Sequence, residues 1–250
     1  MNRLRKGLSL LLSVLILMVG LPSGTITVSA QRSMDFLDGD GTAENPYQIS
    51  TTTHLNNVRK YPDAHFQLIK DLEFIEADFS EGGEFYNNGQ GWEPIGTKET
   101  PFTGVFNGCG YTIQGLFIHR ALGETTYTGL FGYTTGTVRD VAMLDSNLTD
   151  ISNRYHIGGI AGYNTGSILR CSFEGTLSGN GVDGYAGGIA GINEGDIRAC
   201  HSGGEISAYS STGTSDAYGG GIVGLNKRTV SACYNTASLK TILDTVGGIA

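Results

Sequence analysis

Histidines are the first residues to consider for chemistry, because a zinc peptidase needs two of them one helical turn apart, with a glutamate directly after the first. The five histidines are His54, His65, His119, His156 and His201. None is followed directly by Glu, and none has a second His four residues later. The spacing therefore predicts no zinc-peptidase centre in these 250 residues. We expect His156 and His201 to be surface residues and not metal ligands.

Three of the four cysteines recur at a nearly regular interval. They are Cys171, Cys200 and Cys233, and Val141 holds the equivalent place before the first of them. A position that also accepts Val favours small apolar side chains, so we expect buried free thiols. A disulfide bond between two of the three is the alternative. The Cβ atoms of stacked neighbours would be about 4.8 Å apart, however, which is longer than the Cβ–Cβ distance across a disulfide. A straight column does not surround zinc tetrahedrally, and we expect Cys109 to be unpaired.

Acidic side chains would support glycoside or uronate chemistry if two carboxylates lay close together on one face. The acids of the repeated region stand at different positions of the repeat: Asp140, Asp145, Glu174, Asp196 and Glu205. This pattern disfavours a catalytic pair, although acids of neighbouring columns can still meet.

The turn Asp38-Gly39-Asp40-Gly41 begins like a calcium-binding loop. Its twelfth position is Ile49, where such a loop requires a carboxylate, so we expect a tight turn. The chain has no Gly-x-Ser-x-Gly elbow and no Walker-type phosphate loop. The sequence thus predicts no catalytic, cofactor-binding or metal-binding residue and no cofactor, and it leaves the ligand-binding residues open.

Most of these residues belong to a repeated Gly-rich phrase, which reads Gly-Ile-Ala-Gly in its commonest form. Its five copies begin at Gly129, Gly159, Gly188, Gly221 and Gly248. Self-similarity at such a period, about 30 residues, is typical of stacked architectures, in which each unit buries its apolar face only against its neighbours.

Each interval contains three apolar positions, which in the first repeat are Val138, Val141 and Leu148. Helices do not fit, because no ten-residue window keeps a 3.6-residue apolar spacing without a glycine. If each repeat forms one coil of three short strands, equivalent residues of neighbouring coils stack about 4.8 Å apart. The sequence therefore predicts an all-β fold, a parallel β-solenoid (β-helix) with coils of about 30 residues.

Asparagine and tyrosine recur at fixed places in this pattern. Stacked Asn side chains would hydrogen-bond along a column, and Asn tolerates the left-handed backbone angles that a corner can require. The asparagines are Asn164, Asn193 and Asn226. The tyrosines before the phrase would form either a packed corner, the preferred interpretation, or an exposed ladder for sugars or peptides. They are Tyr127, Tyr155, Tyr185 and Tyr218.

Residues 1–30 are predicted to be a secretory signal peptide. Three basic residues among the first six precede an apolar run over residues 8–19, and Val28, Ser29 and Ala30 supply small side chains for cleavage after Ala30. An uncleaved N-terminal anchor is the alternative. Nothing later in the sequence is apolar for long enough to span a bilayer, so no transmembrane segment is expected after signal removal.

The chain without this signal is acidic. It keeps 13 basic and 24 acidic residues, a net charge of −11. This sign argues against a nucleic-acid or anionic-membrane partner, which would need clustered Lys and Arg. Glycine accounts for 39 residues, yet apolar residues recur regularly between the glycines, which argues against disorder.

The remaining chain is predicted to have three parts. Residues 31–80 form an N-terminal cap with a short helix, and residues 81–126 form the first irregular coils. Residues 127–250 form the repeats, of which the last is truncated. The helix is expected over residues 51–61, with Ser50 or Thr51 as its N-cap and Pro62 ending it. A helix at the start of a solenoid would shield the first open sheet edge.

The phrase Gly-Gly-Ile-Ala-Gly-Tyr-Asn at residues 158–164 resembles the GLUG repeat, as does the segment 102–118 with its Gly-Tyr-Thr-Ile. The resemblance extends over residues 104–250. GLUG repeats occur in exported bacterial surface proteins and in N-terminal regions of immunoglobulin-A-cleaving metallopeptidases, so the resemblance specifies a structural module and not one activity. Cys109 departs from the pattern, because Asn is usual in this turn.

These observations together predict a secreted or cell-surface, non-catalytic bacterial protein that acts as an adhesion platform or spacer. An extracellular protein or polysaccharide is the expected partner. The alternatives are the N-terminal non-catalytic region of a larger exported enzyme, a metallopeptidase of the IgA-protease type, or a β-helical carbohydrate-active enzyme. The fifth phrase breaks off at Ala250, which predicts a fragment whose uncapped last coil self-associates.

Overall fold

The computed structural model of this chain describes residues 35–121, 123, 125–212, 217–242 and 246–247. The predicted signal peptide, residues 1–30, and the fifth Gly-rich phrase, which begins at Gly248, lie outside them. Signal cleavage and self-association through the last coil therefore stay predictions. Within the described ranges, no helix is long and apolar enough to cross a membrane.

The described residues form short strands, with a few helical turns near the N-terminus. The helices are α1 (Thr52–Asn57) and α2 (Glu76–Phe79), and the 3₁₀ segments are Val58–Lys60 and Asn87–Gly89. The first strands are β1 (Tyr47–Ile49), β2 (His65–Leu68), β3 (Leu72–Glu73), β4 (Val105–Asn107), β5 (Thr112–Gln114) and β6 (Phe117–Arg120). The strands of the first two repeats are β7 (Thr125–Thr128), β8 (Phe131–Thr134), β9 (Thr137–Arg139), β10 (Ala142–Asp150), β11 (Arg154–Gly158), β12 (Ala161–Asn164), β13 (Ser167–Leu169), β14 (Ser172–Gly181) and β15 (Asp183–Gly187). The remaining strands are β16 (Ala190–Asn193), β17 (Asp196–Arg198), β18 (His201–Ser210), β19 (Ala217–Gly220), β20 (Val223–Asn226), β21 (Thr229–Ser231), β22 (Tyr234–Asn235), β23 (Ser238–Ile242) and β24 (Val246–Gly247).

These strands stack into four sheets, here named A to D. Sheet A has the order β1-β2-β4-β9-β13-β17-β21, and sheet B the order β3-β5-β10-β14-β18-β22, with β6 beside β10 and β23 beside β18. Sheet C runs β8-β12-β16-β20, and sheet D runs β7-β11-β15-β19-β24. The strands pair in parallel with their equivalents in the next coil. The predicted all-β parallel β-solenoid is confirmed.

One full coil consists of four strands, one from each sheet, such as β12, β13, β14 and β15. The sequence predicted three, and this detail was wrong. The three predicted apolar positions lie in strands of sheets A and B or between them, so the strands of sheets C and D were missed. The sheet D strand lies directly before the Gly-rich phrase, and in β15 it reads Asp-Gly-Tyr-Ala-Gly. These residues have little strand preference of their own, so the strand depends on pairing with β11 on one side and β19 on the other.

Like residues lie over like in the core, as the spacing predicted. Ile168 pairs with Val138 in the preceding coil and with Ile197 in the next. Leu148 pairs with Leu177 in the same manner on sheet B. All five side chains are buried, so each coil completes the apolar core of its neighbours.

The predicted helix over residues 51–61 is present, and its last turn is a 3₁₀ segment. Thr51 is the N-cap, and its Oγ1 accepts a 3.0 Å hydrogen bond from the backbone N–H of His54. Leu55 and Val58 are buried. Helix α1 is therefore part of the connection from β1 to β2, which pair in parallel at one end of sheet A.

The corner between sheets A and B has a left-handed backbone in successive coils. Its residues have φ angles between 50° and 56° and are Cys109, Asp140, Arg170, Ala199 and Ala232. The Asn column does not use the tolerance of Asn for such angles, because Asn164, Asn193 and Asn226 are not among the residues of positive φ. No Gly or Asn marks the real corner, so residue types gave no signal for it.

Candidate functional site

A column of aromatic rings runs along the outer face of sheet D. In the strand register, Tyr127, His156, Tyr185 and Tyr218 lie over one another. Neighbouring ring centroids are 5.1, 5.7 and 5.4 Å apart, with interplanar angles of 25°, 14° and 13°. Each ring is half-buried. We name these four rings the aromatic ladder. The rings pack against one another, as in the packed corner, and they are also partly exposed to solvent, as in the exposed ladder.

Tyr155 was expected in this column, and the structure places it elsewhere. It is fully buried, and its hydroxyl donates a 3.2 Å hydrogen bond to the carbonyl of Tyr209. His156 takes the place in the ladder. Tyr155 stands four residues before Gly159, whereas Tyr185 and Tyr218 stand three residues before Gly188 and Gly221. The strand register therefore pairs Tyr155 with Gly184 and His156 with Tyr185. A shift of one residue moves a side chain to the other face of a strand.

A second outward column lies beside the ladder on sheet C. Tyr133 and Tyr163 stack with centroids 4.7 Å apart and an interplanar angle of 6°. Tyr127 makes edge contacts with both rings, at 5.6 and 5.7 Å. Burial raises the pKa of the Tyr163 hydroxyl, and its hydrogen bond to the Glu194 carboxylate acts in the same direction. The three tyrosines form a rigid aromatic surface where sheets C and D meet.

A cleft of about 560 Å³ lies at the N-terminal end of the ladder. Sheet D ends at β7, and the coil before it contributes an irregular segment in place of a further strand. The cleft is lined by that segment, by the end of β6 and by β7. Its residues are Gln90, Glu93, Pro94, Gly96, Thr97, Lys98, Glu99, Arg120, Thr125, Thr126 and Tyr127. An aromatic side chain and four charged groups therefore share one concave surface.

Arg120 is the most desolvated charge in this cleft. Its Nη1 donates a 2.9 Å hydrogen bond to Oε1 of Gln90. Burial lowers the pKa of the guanidinium, while the charges of Glu93 and Asp150 oppose that shift. Among the residues that the structure describes, no carboxylate lies within ion-pair distance of Arg120. Its remaining N–H groups are available to a ligand.

Glu93 is held at the rim of the cleft by Arg59. The Arg59 guanidinium lies 5.2 Å from the ring of the buried Trp92 and donates a 2.7 Å hydrogen bond to the Glu93 carbonyl. Its Nη1 is 3.7 Å from Oε2 of Glu93, whose side chain remains 67% exposed. The carboxylate of Glu93 is thus positioned yet open to solvent.

Strand β7 is fixed from the interior by a buried carboxylate. Asp150 accepts hydrogen bonds from the hydroxyls of Thr126 at 2.6 Å and Thr128 at 2.7 Å through Oδ2, and from the backbone N–H of Ser152 at 3.0 Å through Oδ1. Buried carboxylates are stable only when hydrogen-bonded in this way. Asp150 therefore holds the wall of the cleft from behind, through Thr126, and does not itself line the cleft.

His156 is neutral in the ladder. Burial lowers its pKa to about 4, although the charges of Asp150 and Asp183 oppose the shift. Its Nδ1 is buried without a hydrogen-bond partner among the described residues. His201, on sheet B, stacks on Tyr234 with centroids 4.9 Å apart. Both imidazoles thus belong to ring stacks on outward faces.

The cysteine column is present in the predicted register. Cys171, Cys200 and Cys233 are free thiols, as is the exposed Cys109. The backbone N–H groups of Cys171 and Cys200 each lie 3.4 Å from the sulfur of the next cysteine in the column. Within the described ranges, no group of three His, Cys, Asp or Glu side chains is placed to hold a metal ion.

The acidic residues considered from the sequence lie at separate places. Asp140 makes a bidentate pair with Arg170 at 2.6 and 2.9 Å, and Asp145 accepts from Gln114. Asp196 forms an ion pair with Arg198, and Glu205 forms one with Lys240. The side chain of Glu174 lies beside Gly203, its register partner in the next coil. The Asp38 segment is the expected tight turn, in which Asp40 accepts from the N–H and hydroxyl of Thr42.

Sequence reasoning missed the cleft residues Glu93, Glu99 and Arg120. They precede the clear repeats, and Arg120 stands well apart along the chain from Glu93 and Glu99. The repeated pattern, which guided the expectation about paired acids, does not include these positions. The signal available in the sequence was the irregular segment before the first regular repeat, because the cleft lies where the repeated strand pattern is interrupted.

Comparison with known proteins agrees with this architecture. Residues 153–178 match the family model described as "The GLUG motif". This chain carries the GLUG motif. In the structure, the matched GLUG segment includes β11, β12 and β13 and most of β14, so the motif corresponds to nearly one coil.

Two curated relatives share part of the chain. It is 40% identical over 152 residues to a "Putative Gly-rich membrane protein" of Evansella cellulosilytica, which covers 59% of this chain and 17% of the relative. It is 28% identical over 148 residues to "Halomucin" of Haloquadratum walsbyi, covering 57% of this chain and 2% of the relative. The chain thus spans less than a fifth of the length of either relative.

The fold is also similar to a solved structure. The crystal structure of "a putative immunoglobulin A1 protease from Bacteroides ovatus" superposes with a TM-score of 0.62 at 23% sequence identity. The match covers 85% of this chain and 70% of that one. At this identity the similarity establishes a shared fold.

Proposed function

We propose that this GLUG-motif chain is a secreted or cell-surface, non-catalytic binding platform. The aromatic ladder is the observation that carries the proposal. It places four rings in one line on an outer face, at one ring per coil. Partly exposed aromatic side chains supply large contact area at low cost in side-chain entropy, as binding surfaces require.

The names of the relatives support placement at the cell surface. One is a Gly-rich membrane protein and the other is a halomucin. A rigid solenoid would hold its outward face away from a cell envelope, and an acidic surface suits an extracellular partner that is a protein or a polysaccharide. The predicted signal peptide gives the export route.

A second candidate is the non-catalytic N-terminal part of a larger exported enzyme. The structural neighbour named as an immunoglobulin A1 protease favours this candidate. The coding sequence after residue 250 distinguishes the two, because a downstream His-Glu-x-x-His would favour a metallopeptidase. Repeats that anchor proteins to the cell wall or surface layer would favour the adhesion platform.

The proposal is tested by surface binding of the full chain. Antibodies against the chain should label intact bacteria, and the purified protein should bind immobilised extracellular proteins or polysaccharides. A double variant, Tyr185→Ser with Tyr218→Ser, should lose most of this binding. The matched control is Tyr111→Ser, which removes a 36% exposed tyrosine outside the ladder. Binding that is equal in all three proteins would refute the role of the ladder.

A further inference from the structure

We propose that the cleft beside Tyr127 binds an uncharged saccharide, with one pyranose ring packed on the face of the Tyr127 side chain. This proposal rests on the proposed binding function and assigns its ligand class. The cleft, and not the ladder as a whole, is the specific site.

Tyr127 is the ladder ring that turns a face toward the cleft. Within the ladder, each ring covers the next, so the outer surface presents ring edges. Tyr127 is the first ring, stacks on His156 on one side, and lines the cleft on the other. A pyranose ring has an apolar C–H face of similar size, so it can cover an aromatic face while its hydroxyls reach polar neighbours.

The orientation of this face is fixed before any ligand arrives. Edge contacts with Tyr133 and Tyr163 restrain the Tyr127 ring from the side. Asp150 holds the flanking Thr126 and Thr128 from the interior. A preformed surface avoids the entropic cost of ordering side chains on binding.

The polar groups of the cleft match hydroxyls. Arg120 and Lys98 donate hydrogen bonds, whereas Glu93 and Glu99 accept them, and a sugar hydroxyl does both. Among the lining residues that the structure describes, two positive and two negative side chains balance in charge. Without the predicted signal peptide the chain has a net charge of −11, which disfavours acidic polysaccharides. The charge balance therefore points to a neutral sugar.

The edge of sheet D adds backbone groups to this site. Strand β7 pairs with β11 on one side, and among the described residues no backbone hydrogen bond joins it to the coil before. An extended peptide could pair with such an edge. The edge is only four residues long, and the cleft has the volume of a small-molecule site, so a compact ligand fits better than a strand.

The experiment measures binding of defined probes to the full chain by calorimetry and by NMR. The neutral probes are cellotetraose, mannotetraose and N-acetylchitotetraose; tetragalacturonate is the acidic probe, and an alternating Val-Thr pentapeptide is the strand probe. We expect at least one neutral tetrasaccharide to bind. Tyr127→Ala should raise its Kd by about tenfold or more, equivalent to ~1.4 kcal/mol, and Tyr127→Phe should keep Kd within about twofold because it retains the ring face.

Two further variants keep the test decisive. Glu99→Gln alters a polar group of the cleft without removing the ring and should weaken the same probe by several-fold, even where Tyr127→Ala folds poorly. Tyr111→Ala, outside the cleft, should have no effect. Binding of tetragalacturonate or the peptide alone, or neutral-sugar binding unchanged by Tyr127→Ala, overturns the proposal.

The outcomes also separate this proposal from the proposed function. If the ladder double variant abolishes surface binding while no neutral sugar binds the cleft, the platform stands and the saccharide site is refuted. If a neutral sugar binds at Tyr127 and its reducing ends are released over time, the saccharide site stands and the non-catalytic function is refuted.

Discussion

The side-chain amide of Asn164 donates a 2.7 Å hydrogen bond to Oδ1 of Asn193, one coil further along the solenoid. Asn193 in turn donates to Oδ1 of Asn226 at 2.9 Å. Each Asn also closes a local turn, since Oδ1 of Asn193 accepts from the N–H of Gly195 and its Nδ2 donates to the Gly195 carbonyl. The amides thus join consecutive coils and shape the corner in each.

Asn193→Ala should destabilise the fold by about 3 kcal/mol, because it leaves buried partners in two neighbouring coils and in its own turn without hydrogen bonds. Urea denaturation followed by circular dichroism measures the loss. Asn153→Ala is the matched control, since Asn153 is exposed, and it should change stability by less than about 0.5 kcal/mol. Equal effects of the two variants would contradict a structural role for the amide column.

Protonation of His156 should weaken the fold in mild acid. Its pKa is about 4 in the folded chain against an ordinary 6.5, so between these values the unfolded chain binds a proton that the folded chain does not. The free energy of unfolding should therefore fall as the pH drops from 7 to 5, by about 2 kcal/mol from this residue. His156→Tyr, which gives this coil the tyrosine of its neighbours, should remove that part of the decrease. Identical pH profiles of thermal unfolding in the two proteins would refute the assignment.

Gly184 provides the space for the buried Tyr155 ring. A Cβ at this position would lie 2.6 Å from Cδ1 of Tyr155, which is too close for any side chain. Gly184→Ala should therefore cost about 2 to 3 kcal/mol by overpacking, measured by chemical denaturation. Gly203→Ala is the control, because the nearest atom to its Cβ is the Thr236 hydroxyl at 3.3 Å, and this variant should lose much less. A loss as large in the control would mean that the strand backbone, and not the ring, sets the requirement for Gly.

Ala199 occupies the left-handed corner with φ of 54° and is exposed. Ala199→Gly should stabilise the chain by about 1 kcal/mol, because the side chain makes this backbone conformation unfavourable and loses no packing when removed. Thermal unfolding checks the sign. Ala190→Gly should instead destabilise, since Ala190 is buried in strand β16. A lower melting temperature for Ala199→Gly would contradict the strain.

Spacing alone was enough to predict the solenoid and its columns. Cys171, Cys200 and Cys233 were placed over one another because equal offsets mean equal positions once each repeat closes one turn. Counting failed where a tyrosine stands one residue further from the phrase than its equivalents, which exchanged Tyr155 for His156 in the ladder. It also failed for Ala199, because left-handed angles there follow from closure of the coil and not from residue preference.

The cleft could not be predicted in this way. Glu93, Arg120 and Tyr127 meet because the irregular coil contributes no strand to sheet D in the described part of the chain, and that absence has no residue pattern of its own. A repeat predicts what recurs, so a feature that occurs once requires three-dimensional information.

The ladder gains one ring with each coil, while the cleft lies before the first regular coil. The length of the ladder and the shape of the cleft can therefore change independently of each other. Inserting or deleting a whole unit between β11 and β19 would change how far the surface reaches and how many contacts it offers. The cleft, which we propose as the saccharide site, would keep the same walls.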